Sequence, residues 1–193
     1  MTTPAPRKYK PKVNIVVDTE TGALDSKAAV YDIGAVVAWP VRYEARFSIK
    51  IKPSSYNGTA FEVSPETLQW HRDNKPGYLE QCEEEGVDFR EAAQVFADWL
   101  QLYNANFDLH MWAQGKDFDQ SVLGWLFNQC GIKQPYSYRN FHCTRDLLFL
   151  NPAVRIRGGQ DEAAHTALAD AEWAAMQLVA IINNSTWYQR LLT

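Results

Sequence analysis

The chain of 193 residues fits one large domain better than two, and its seven Trp, nine Tyr and nine Phe are enough to build a sizeable core. No apolar run approaches the roughly 20 residues that cross a bilayer, which excludes a transmembrane helix. The net charge of −4 excludes a broadly basic nucleic-acid-binding surface, so any phosphate contacts must come from local basic residues or bound cations. The odd number of cysteines predicts free thiols, and the absence of an apolar segment near the N-terminus predicts a cytoplasmic protein.

The predicted elements begin with three strands that follow a flexible basic arm, residues 1–12. Apolar residues run together or alternate with polar ones over residues 12–17, 32–39 and 43–51, which is typical of strands. A short break at Pro40 predicts a hairpin between the second and third strands.

Helices are predicted for the next part of the chain. Ser64 as the cap and Pro65 at the first helical position start a helix that runs to about residue 73. A second short helix is predicted near Pro76. Apolar residues at helical spacing predict a longer helix over residues 89–103, with one face packed on the sheet.

Strands and helices then alternate to the end of the chain. Two strands and four helices are predicted here, over residues 109–113, 117–130, 139–143, 144–150, 162–181 and 186–192. Gly131 is expected to end the first of these helices. Hairpin strands followed by this alternation predict an α/β fold with a mixed sheet, three antiparallel strands and then parallel ones, flanked by helices. One domain is expected over residues 13–193.

Two carboxylates mark the end of the first strand. Asp18 and Glu20 lie in the sequence DTETG, and because side chains alternate along a strand, both point to the same side of the sheet. Two hard oxygen donors then meet at the rim of the sheet, where a cation would neutralise them. A pair of this kind also occurs by chance, so a plain surface strand end is the alternative.

Three further residues complete a constellation of four carboxylates and one histidine. Asp119 lies at the start of a middle helix, and His165 and Asp170 lie in HTALAD near the start of the last long helix. Such a set can hold two divalent cations against a phosphodiester and supply a base for water. Asp117 is a rival to Asp119, since one of the two could cap the helix while the other binds metal. A histidine alone would more often be a helix-terminal or solvated residue.

These motifs, in this order, resemble the DEDDh branch of the 3′-5′ exonucleases, which have an RNase H-like fold. The stretches DTETGALDSKAAVYDIGAV, SPETLQWHRDN, WAQGKDFDQSVL and HTALADAEWAA are similar to the small exoribonuclease-like and phage exonuclease group within that branch. That group has Trp-Trp where this chain has Trp70-His71, and Asn-Gly where it has Gln114-Gly115.

The resemblance implies a metal site and a base. Two Mg²⁺ ions per site, for which Mn²⁺ can substitute, would be held by the four carboxylates, Asp18, Glu20, Asp119 and Asp170. His165 would be the general base. The family pattern F-D-x-x-x-L, present here at Phe118, Asp119 and Leu123, favours Asp119 over Asp117 as the ligand.

The resemblance also implies contacts with the terminal nucleotide. Thr21, Gly22 and Leu24 directly follow the D-x-E motif, and Leu24 would act as a wedge under the last base. Trp70 is interpreted in two ways, as a core aromatic at helical spacing or as a ring that stacks on a base near the 3′ end. Phe61 is a further stacking candidate. The other histidines fit no ligand pattern, although His71 lies beside Trp70.

The predicted function is a divalent-metal-dependent 3′-5′ exonuclease that hydrolyses single-stranded RNA or DNA ends, with RNA slightly favoured, to nucleoside 5′-monophosphates. One alternative is a non-catalytic nucleic-acid-binding module, which has no reason to retain a costly cluster of like charges. Another is a proofreading or oligonucleotide-degrading subunit that acts with a polymerase. No membrane contact is expected, and the cytoplasm in question would be that of a bacterial cell or a phage-infected host, as the resemblance implies. Relatives in the family are often dimers, so a homodimer is a possible assembly.

Overall fold

The computed structural model describes residues 10–39, 42–154 and 166–184. Four predicted features therefore lie outside the described residues: most of the basic arm, the connection at Pro40, the segment that carries His165, and the last short helix.

One five-stranded sheet forms the centre of the described part of the chain. Its strands are β1 (Lys12–Thr21), β2 (Val30–Trp39), β3 (Arg42–Lys50), β4 (Asp108–Ala113) and β5 (Phe141–Cys143). They lie in the order β3-β2-β1-β4-β5. The first three strands pair antiparallel, whereas β4 pairs parallel with β1 and β5 pairs parallel with β4. The predicted mixed sheet is confirmed.

Six α-helices flank this sheet within the described ranges. They are α1 (Pro65–Asn74), α2 (Tyr78–Glu85), α3 (Phe89–Asn104), α4 (Lys116–Gln129), α5 (Thr144–Leu150) and α6 (Ala167–Asn184). The fifth strand is shorter than predicted because residues 138–140 form a 3₁₀ turn. None of the helices in these ranges is long and apolar enough to cross a membrane. The three cysteines are free, as predicted.

Local capping explains where α1 begins. The Ser64 hydroxyl accepts a hydrogen bond from the Thr67 backbone N–H at 3.2 Å, and Pro65 occupies the first helical position. This hydrogen bond satisfies one of the free N–H groups at the helix start. The prediction for this terminus is confirmed.

The start of α4 differs from the prediction. Gly115, with φ +109°, is the N-cap, and the helix begins at Lys116. Asp117 lies within the first turn of the helix, so its predicted role as the cap is wrong. The chain must turn sharply from β4 into α4, and the left-handed backbone required there favours glycine over aspartate. Gly131, with φ +66°, follows the end of α4 as predicted.

The core has two layers, one on each face of the sheet. On one face, alternate residues of β1 such as Ile15 and Val17 pack with α3 and α4. On the other face, Val16 and Val36 pack with Ala171, Leu178 and neighbouring residues of α6. Side chains alternate between the two faces of β1. Asp18 and Glu20 therefore point to the same face as Val16, which is the face that α6 covers.

Candidate active site

Three of the predicted carboxylates converge at the end of β1. One oxygen from each of Asp18, Glu20 and Asp170 lies within 4.8 Å of the others. Asp18 and Glu20 are two positions apart on β1, whereas Asp170 lies in the first turn of α6. The structure thus brings together residues that are about 150 positions apart in the chain.

The position of Asp170 depends on how closely α6 approaches the sheet. Gly34 of β2 lies opposite Asp18 in the strand register, and a Cβ on Gly34 would be 2.1 Å from the carbonyl carbon of Ala167. The start of α6 can lie on β2 only because Gly34 has no side chain. Asp32, two residues earlier, accepts a hydrogen bond from the Ala167 N–H at 3.3 Å. Both contacts fix the helix end that carries Asp170.

Asp119 reaches the same region from the other side of β1. Its carboxylate is almost fully buried and accepts a hydrogen bond from the Thr19 hydroxyl at 2.8 Å. Thr19 lies between Asp18 and Glu20 and therefore points to the opposite face of the strand. Burial raises the pKa of Asp119 to about 7, against the Thr19 hydrogen bond and the positive charge of Arg145, which lower it. Asp119 is not among the three converging residues.

The cluster is electrostatically costly without a cation. Burial raises the pKa of Asp18 well above its usual range, and the negative charges of Asp119, Glu20 and Asp170 raise it further. Lys75 lowers it. Convergent carboxylate oxygens are the donors that Mg²⁺ and Mn²⁺ prefer. The residues present therefore fit a divalent-cation site.

Two residues of this site were not found from the sequence. Lys75 Nζ lies 2.6 Å from Glu20 Oε1, and Asp32, opposite Glu20 in the register, has a pKa raised to about 6 by burial. No sequence motif marks either residue. The register of β1 with β2 places Asp32, and the turn after α1 places Lys75. Residue spacing in the sequence predicts neither contact.

An apolar cavity of about 450 Å³ adjoins Glu20 of the carboxylate cluster. Its wall comes from the end of β1, the following loop, α1 and α4: Thr19, Glu20, Thr21, Leu24, Glu66, Thr67, Trp70, His71 and Phe118. Leu24 is 85% exposed and Trp70 is 50% exposed. Trp70 is therefore not a core aromatic, and the interpretation as a core residue is wrong.

A model of the Rv2179c-like 3′-5′ exoribonuclease domain family matches residues 13–182. The chain belongs to this family. The family is described as a 3′-5′ exoribonuclease domain, which confirms the 3′-5′ exonuclease predicted from the resemblance. A search of curated proteins by sequence finds no match.

Solved structures similar to this exonuclease domain show the same fold. E. coli exonuclease I in complex with a 5cy-dT13 oligonucleotide is 12% identical, with a TM-score of 0.69 over 94% of this chain and 43% of that chain. The exonuclease domain thus spans less than half the length of exonuclease I. The nuclease domain of 3′hExo, a DEDDh family member bound to rAMP, is 12% identical, with a TM-score of 0.65 over 91% and 94% of the two chains. Exonuclease X in complex with 5′ overhanging duplex DNA is 19% identical, with a TM-score of 0.58 over 90% and 93%.

The segment after D-x-E in this exonuclease domain combines packing and cavity residues. The hydroxyl of Thr21 donates to the Ala23 carbonyl at 2.7 Å. A Cβ on Gly22 would lie 2.5 Å from the Tyr31 hydroxyl oxygen, so glycine is required for packing at this position. The Gly22 N–H and C=O are both used within the protein, by Ala29 and Ser64. Of the three predicted contacts here, Thr21 and Leu24 line the cavity.

Phe61 packs against the core, and the three histidines of the described residues are buried or half-buried. The ring of Phe61 makes an edge contact with Phe89 and does not line the cavity. His71 is buried, and its Nε2 is 2.9 Å from the Thr21 carbonyl oxygen, which ties α1 to β1. His110 Nδ1 lies 2.9 Å from His142 Nε2. His165, the predicted general base, lies outside the described residues, so its role stays a prediction.

Proposed function

We propose that this exonuclease domain removes nucleoside 5′-monophosphates from the 3′ end of single-stranded RNA. The observation that carries the proposal is the meeting of Asp18, Glu20 and Asp170 beside the apolar cavity. A carboxylate cluster next to a cavity of nucleotide size combines a cation site with a base-binding site. The family match supports the choice of RNA, since the family is described as 3′-5′ exoribonuclease.

The carboxylates supply the chemistry of the site through bound cations. Two Mg²⁺ ions, or Mn²⁺ in their place, would be held by Asp18, Glu20, Asp119 and Asp170. When bound, such ions lower the pKa of water and stabilise the charge on a leaving 3′-oxygen. Asp119 is held in a fixed orientation by Thr19, and Asp170 by the contact of α6 with Gly34. Fixed carboxylates keep the cations in one arrangement from one turnover to the next.

His165 would act as the general base of the reaction. An imidazole with a pKa of about 6.5 can accept a proton from water at neutral pH. The residue precedes Thr166, whose hydroxyl accepts a hydrogen bond from the Ala169 N–H at 3.2 Å at the start of α6. Asp170, four residues after Thr166, belongs to the carboxylate cluster. In the sequence, His165 is therefore only five residues before Asp170 of the proposed metal site.

Trp70 and Leu24 would hold the terminal base. Both are exposed apolar side chains on the wall of the same cavity. A base that stacks on an indole ring gains roughly 1–3 kcal/mol whatever its identity, so this contact gives affinity without sequence preference. The cavity wall also contains Glu66 and Thr67, whose oxygens can pair with a ribose 2′-hydroxyl. This polar edge favours RNA over DNA.

A 5′-labelled oligonucleotide tests the proposal directly. RNA and DNA of one sequence are incubated with the protein and Mg²⁺, Mn²⁺ or EDTA, and the products are separated by length. We expect a ladder that shortens from the 3′ end, faster for RNA, and no ladder in EDTA. Binding without shortening would contradict the proposal and indicate a non-catalytic module.

Asp119→Asn and Asp117→Asn form a matched pair for the same assay. Asp119 is buried beside the cluster, whereas Asp117, two residues earlier on the same helix turn, is exposed. We expect Asp119→Asn and Asp18→Asn to abolish shortening and Asp117→Asn to leave it unchanged. An active Asp18→Asn variant would contradict the site assignment. The homodimer and the cytoplasmic location stay predictions. Analytical sedimentation measures the oligomeric state and so checks the homodimer.

A further inference from the structure

A lysine already occupies part of the carboxylate cluster. Lys75 Nζ lies 2.6 Å from Glu20 Oε1, and the two side chains are only 8% and 13% exposed. Glu20 is one of the three residues whose oxygens converge. An ammonium group therefore neutralises one of the predicted metal ligands from within the protein. A lysine is seldom this buried without a specific partner.

The backbone around Lys75 holds this side chain in place. Lys75 follows the last residue of α1, and its N–H donates to the His71 carbonyl at 2.7 Å. Its own carbonyl accepts from the Tyr78 N–H at 3.0 Å, at the start of α2. The lysine thus sits in a tight connection between two helices. From this connection the side chain extends to the end of β1, where Nζ meets Glu20.

Two aromatic rings give the ammonium a second favourable environment. Lys75 Nζ lies 5.5 Å from the ring centroid of Trp70 and 5.2 Å from that of Tyr78. Both distances are within the range of cation–π attraction. Trp70 lines the cavity beside the carboxylates. The ammonium can therefore leave Glu20 without losing all of its partners, and it would then face the cavity.

We propose that Lys75 is a positioning residue that serves as the resident cation of the metal-free site and is displaced from Glu20 when a divalent cation binds. An ammonium and a divalent cation repel each other on one carboxylate, so the two compete for Glu20. The displaced ammonium, kept near Trp70, then meets the anionic nucleotide in the cavity. The exchange couples metal loading to substrate binding. This inference rests on the metal site of the proposed function.

Competition for Glu20 makes a specific prediction for Lys75→Met, which removes the charge and leaves an unbranched apolar side chain one atom shorter. Without metal, Glu20 is left unpaired, and Tm should fall by about 5 °C or more. Mn²⁺ should bind the variant at least about fivefold more tightly than the parent, because no ammonium has to be displaced. At saturating Mg²⁺ the difference in Tm should shrink to less than half of its metal-free value. Thermal unfolding in EDTA and in Mg²⁺, and calorimetric titration with Mn²⁺, measure these effects.

Lys50→Met is the matched control. Lys50 Nζ also lies 2.6 Å from a carboxylate, Oε2 of Glu85, but that pair contains none of the converging residues. Its substitution should change Tm equally with and without metal and leave Mn²⁺ affinity unchanged. In a Glu20→Gln background, Lys75→Met should cost less metal-free stability than it does in the parent.

A measurement on the parent protein covers the case in which Lys75→Met does not fold. Acetic anhydride labels accessible amines, and mass spectrometry of peptides gives the extent at each lysine. We expect labelling of Lys75 to rise severalfold when Mg²⁺ is added, with labelling of Lys50 as the internal reference. If the labelling of Lys75 did not change on addition of Mg²⁺, the proposal would be overturned.

Two other outcomes also overturn it, and they are separable from failure of the proposed function. If Lys75→Met loses the same Tm with and without metal, or binds Mn²⁺ more weakly, Lys75 holds the fold or Glu20 and does not compete with metal. If the parent itself binds no Mn²⁺ and shortens no RNA, the metal site and the exonuclease proposal fail together. A parent that binds Mn²⁺ and shortens RNA, with a Lys75→Met variant of equal Mn²⁺ affinity, rejects the role of Lys75 alone.

Discussion

The backbone of Ala167 lies directly against Gly34, so closely that a Cβ on Gly34 would be 2.1 Å from the carbonyl carbon of Ala167. Gly34 is also the strand partner of Asp18. One glycine therefore links the strand that carries two carboxylates to the helix that carries a third, Asp170. The carboxylate cluster depends on this contact because Asp170 reaches it only when the start of α6 touches the sheet.

Gly34→Ala tests the contact. The added methyl must push α6 away, which should lower stability by about 1–3 kcal/mol and move Asp170 out of reach of the other carboxylates. We expect a lower Tm, and a smaller rise in Tm on addition of Mg²⁺ than in the parent. Gly124→Ala is the control, since a Cβ there meets only the end of the Gln134 side chain within 4 Å. A Gly34→Ala variant with the full Mg²⁺ response would contradict the argument.

Thr19→Val tests the support of Asp119. The substitution keeps the shape of the side chain and removes the hydrogen bond that lowers the pKa of Asp119. The pKa of Asp119 should therefore rise further above about 7 in the metal-free protein. At neutral pH more of the carboxyl is protonated, so exonuclease activity at limiting Mg²⁺ should fall and recover toward higher pH.

The pH profile of Thr19→Val is compared with that of Thr144→Val. Thr144 is also buried and donates a hydrogen bond, to the Ala113 carbonyl, but not to a carboxylate. Its substitution should lower stability by about 1 kcal/mol without moving the pH profile. If the activity of Thr19→Val fell at acidic pH in the same way as that of the parent, Thr19 would not influence the pKa of Asp119.

Stability of the metal-free protein should fall as the pH rises. Burial raises the pKa of Asp18 well above its usual range and that of Asp32 to about 6, so the folded state binds these protons more tightly than the unfolded chain. Their contribution is present below the unfolded pKa of about 4 and is lost as the pH passes through the folded values. In EDTA, Tm should therefore be higher at about pH 5 than at about pH 8.

Bound Mg²⁺ should oppose the fall of Tm with rising pH, because cations and protons compete for the same carboxylates. The rise in Tm on addition of Mg²⁺ is expected to be larger at about pH 8 than at about pH 5. Asp32→Asn should flatten the slope in EDTA, whereas Asp98→Asn, at an exposed position of α3, should not. Equal slopes for these two variants would show that Asp32 does not retain its proton in the folded state.

Trp70→Ala should weaken substrate binding more than it slows catalysis. Loss of a stacking ring costs roughly 1–3 kcal/mol, which corresponds to an increase in KM of about tenfold, with a smaller change in kcat. Leu102→Ala is the control, since Leu102 is an exposed apolar residue of α3 that does not line the cavity. An unchanged KM in Trp70→Ala would place the base elsewhere.

Glu66→Gln should narrow the difference between RNA and DNA. Glu66 lines the cavity and accepts a hydrogen bond from the Ser64 hydroxyl at 2.7 Å, so its carboxylate is held at the cavity wall. A ribose 2′-hydroxyl can donate to this carboxylate, whereas deoxyribose cannot. We expect kcat/KM for RNA to fall severalfold and that for DNA to stay the same. Glu80→Gln on α2 is the control, and a parallel loss for both substrates would assign Glu66 another role.

Much of the fold was predictable because its signals are local. Alternation of apolar residues gave the first strands, and the Ser64-Pro65 pair gave the start of α1. The start of α4 was assigned wrongly, because the choice between Gly115 and Asp117 as the cap depends on the backbone turn required after β4. The role of His165 stays a prediction, since that residue lies outside the described part of the chain.

The sequence by itself determined the kind of site. The D-x-E spacing on a strand places Asp18 and Glu20 on one face, and this follows from the geometry of any extended chain. Motifs in family order then indicated Asp119 and Asp170 as their partners.

Only the tertiary structure decided how those carboxylates are arranged and neutralised. The register of β1 with β2 sets Gly34 and Asp32 beside them, and the turn after α1 brings Lys75 onto Glu20. Such neighbours are far apart along the chain, and no local pattern encodes a contact that forms only when separate elements pack. The charge that balances a buried carboxylate is therefore a property of the folded chain.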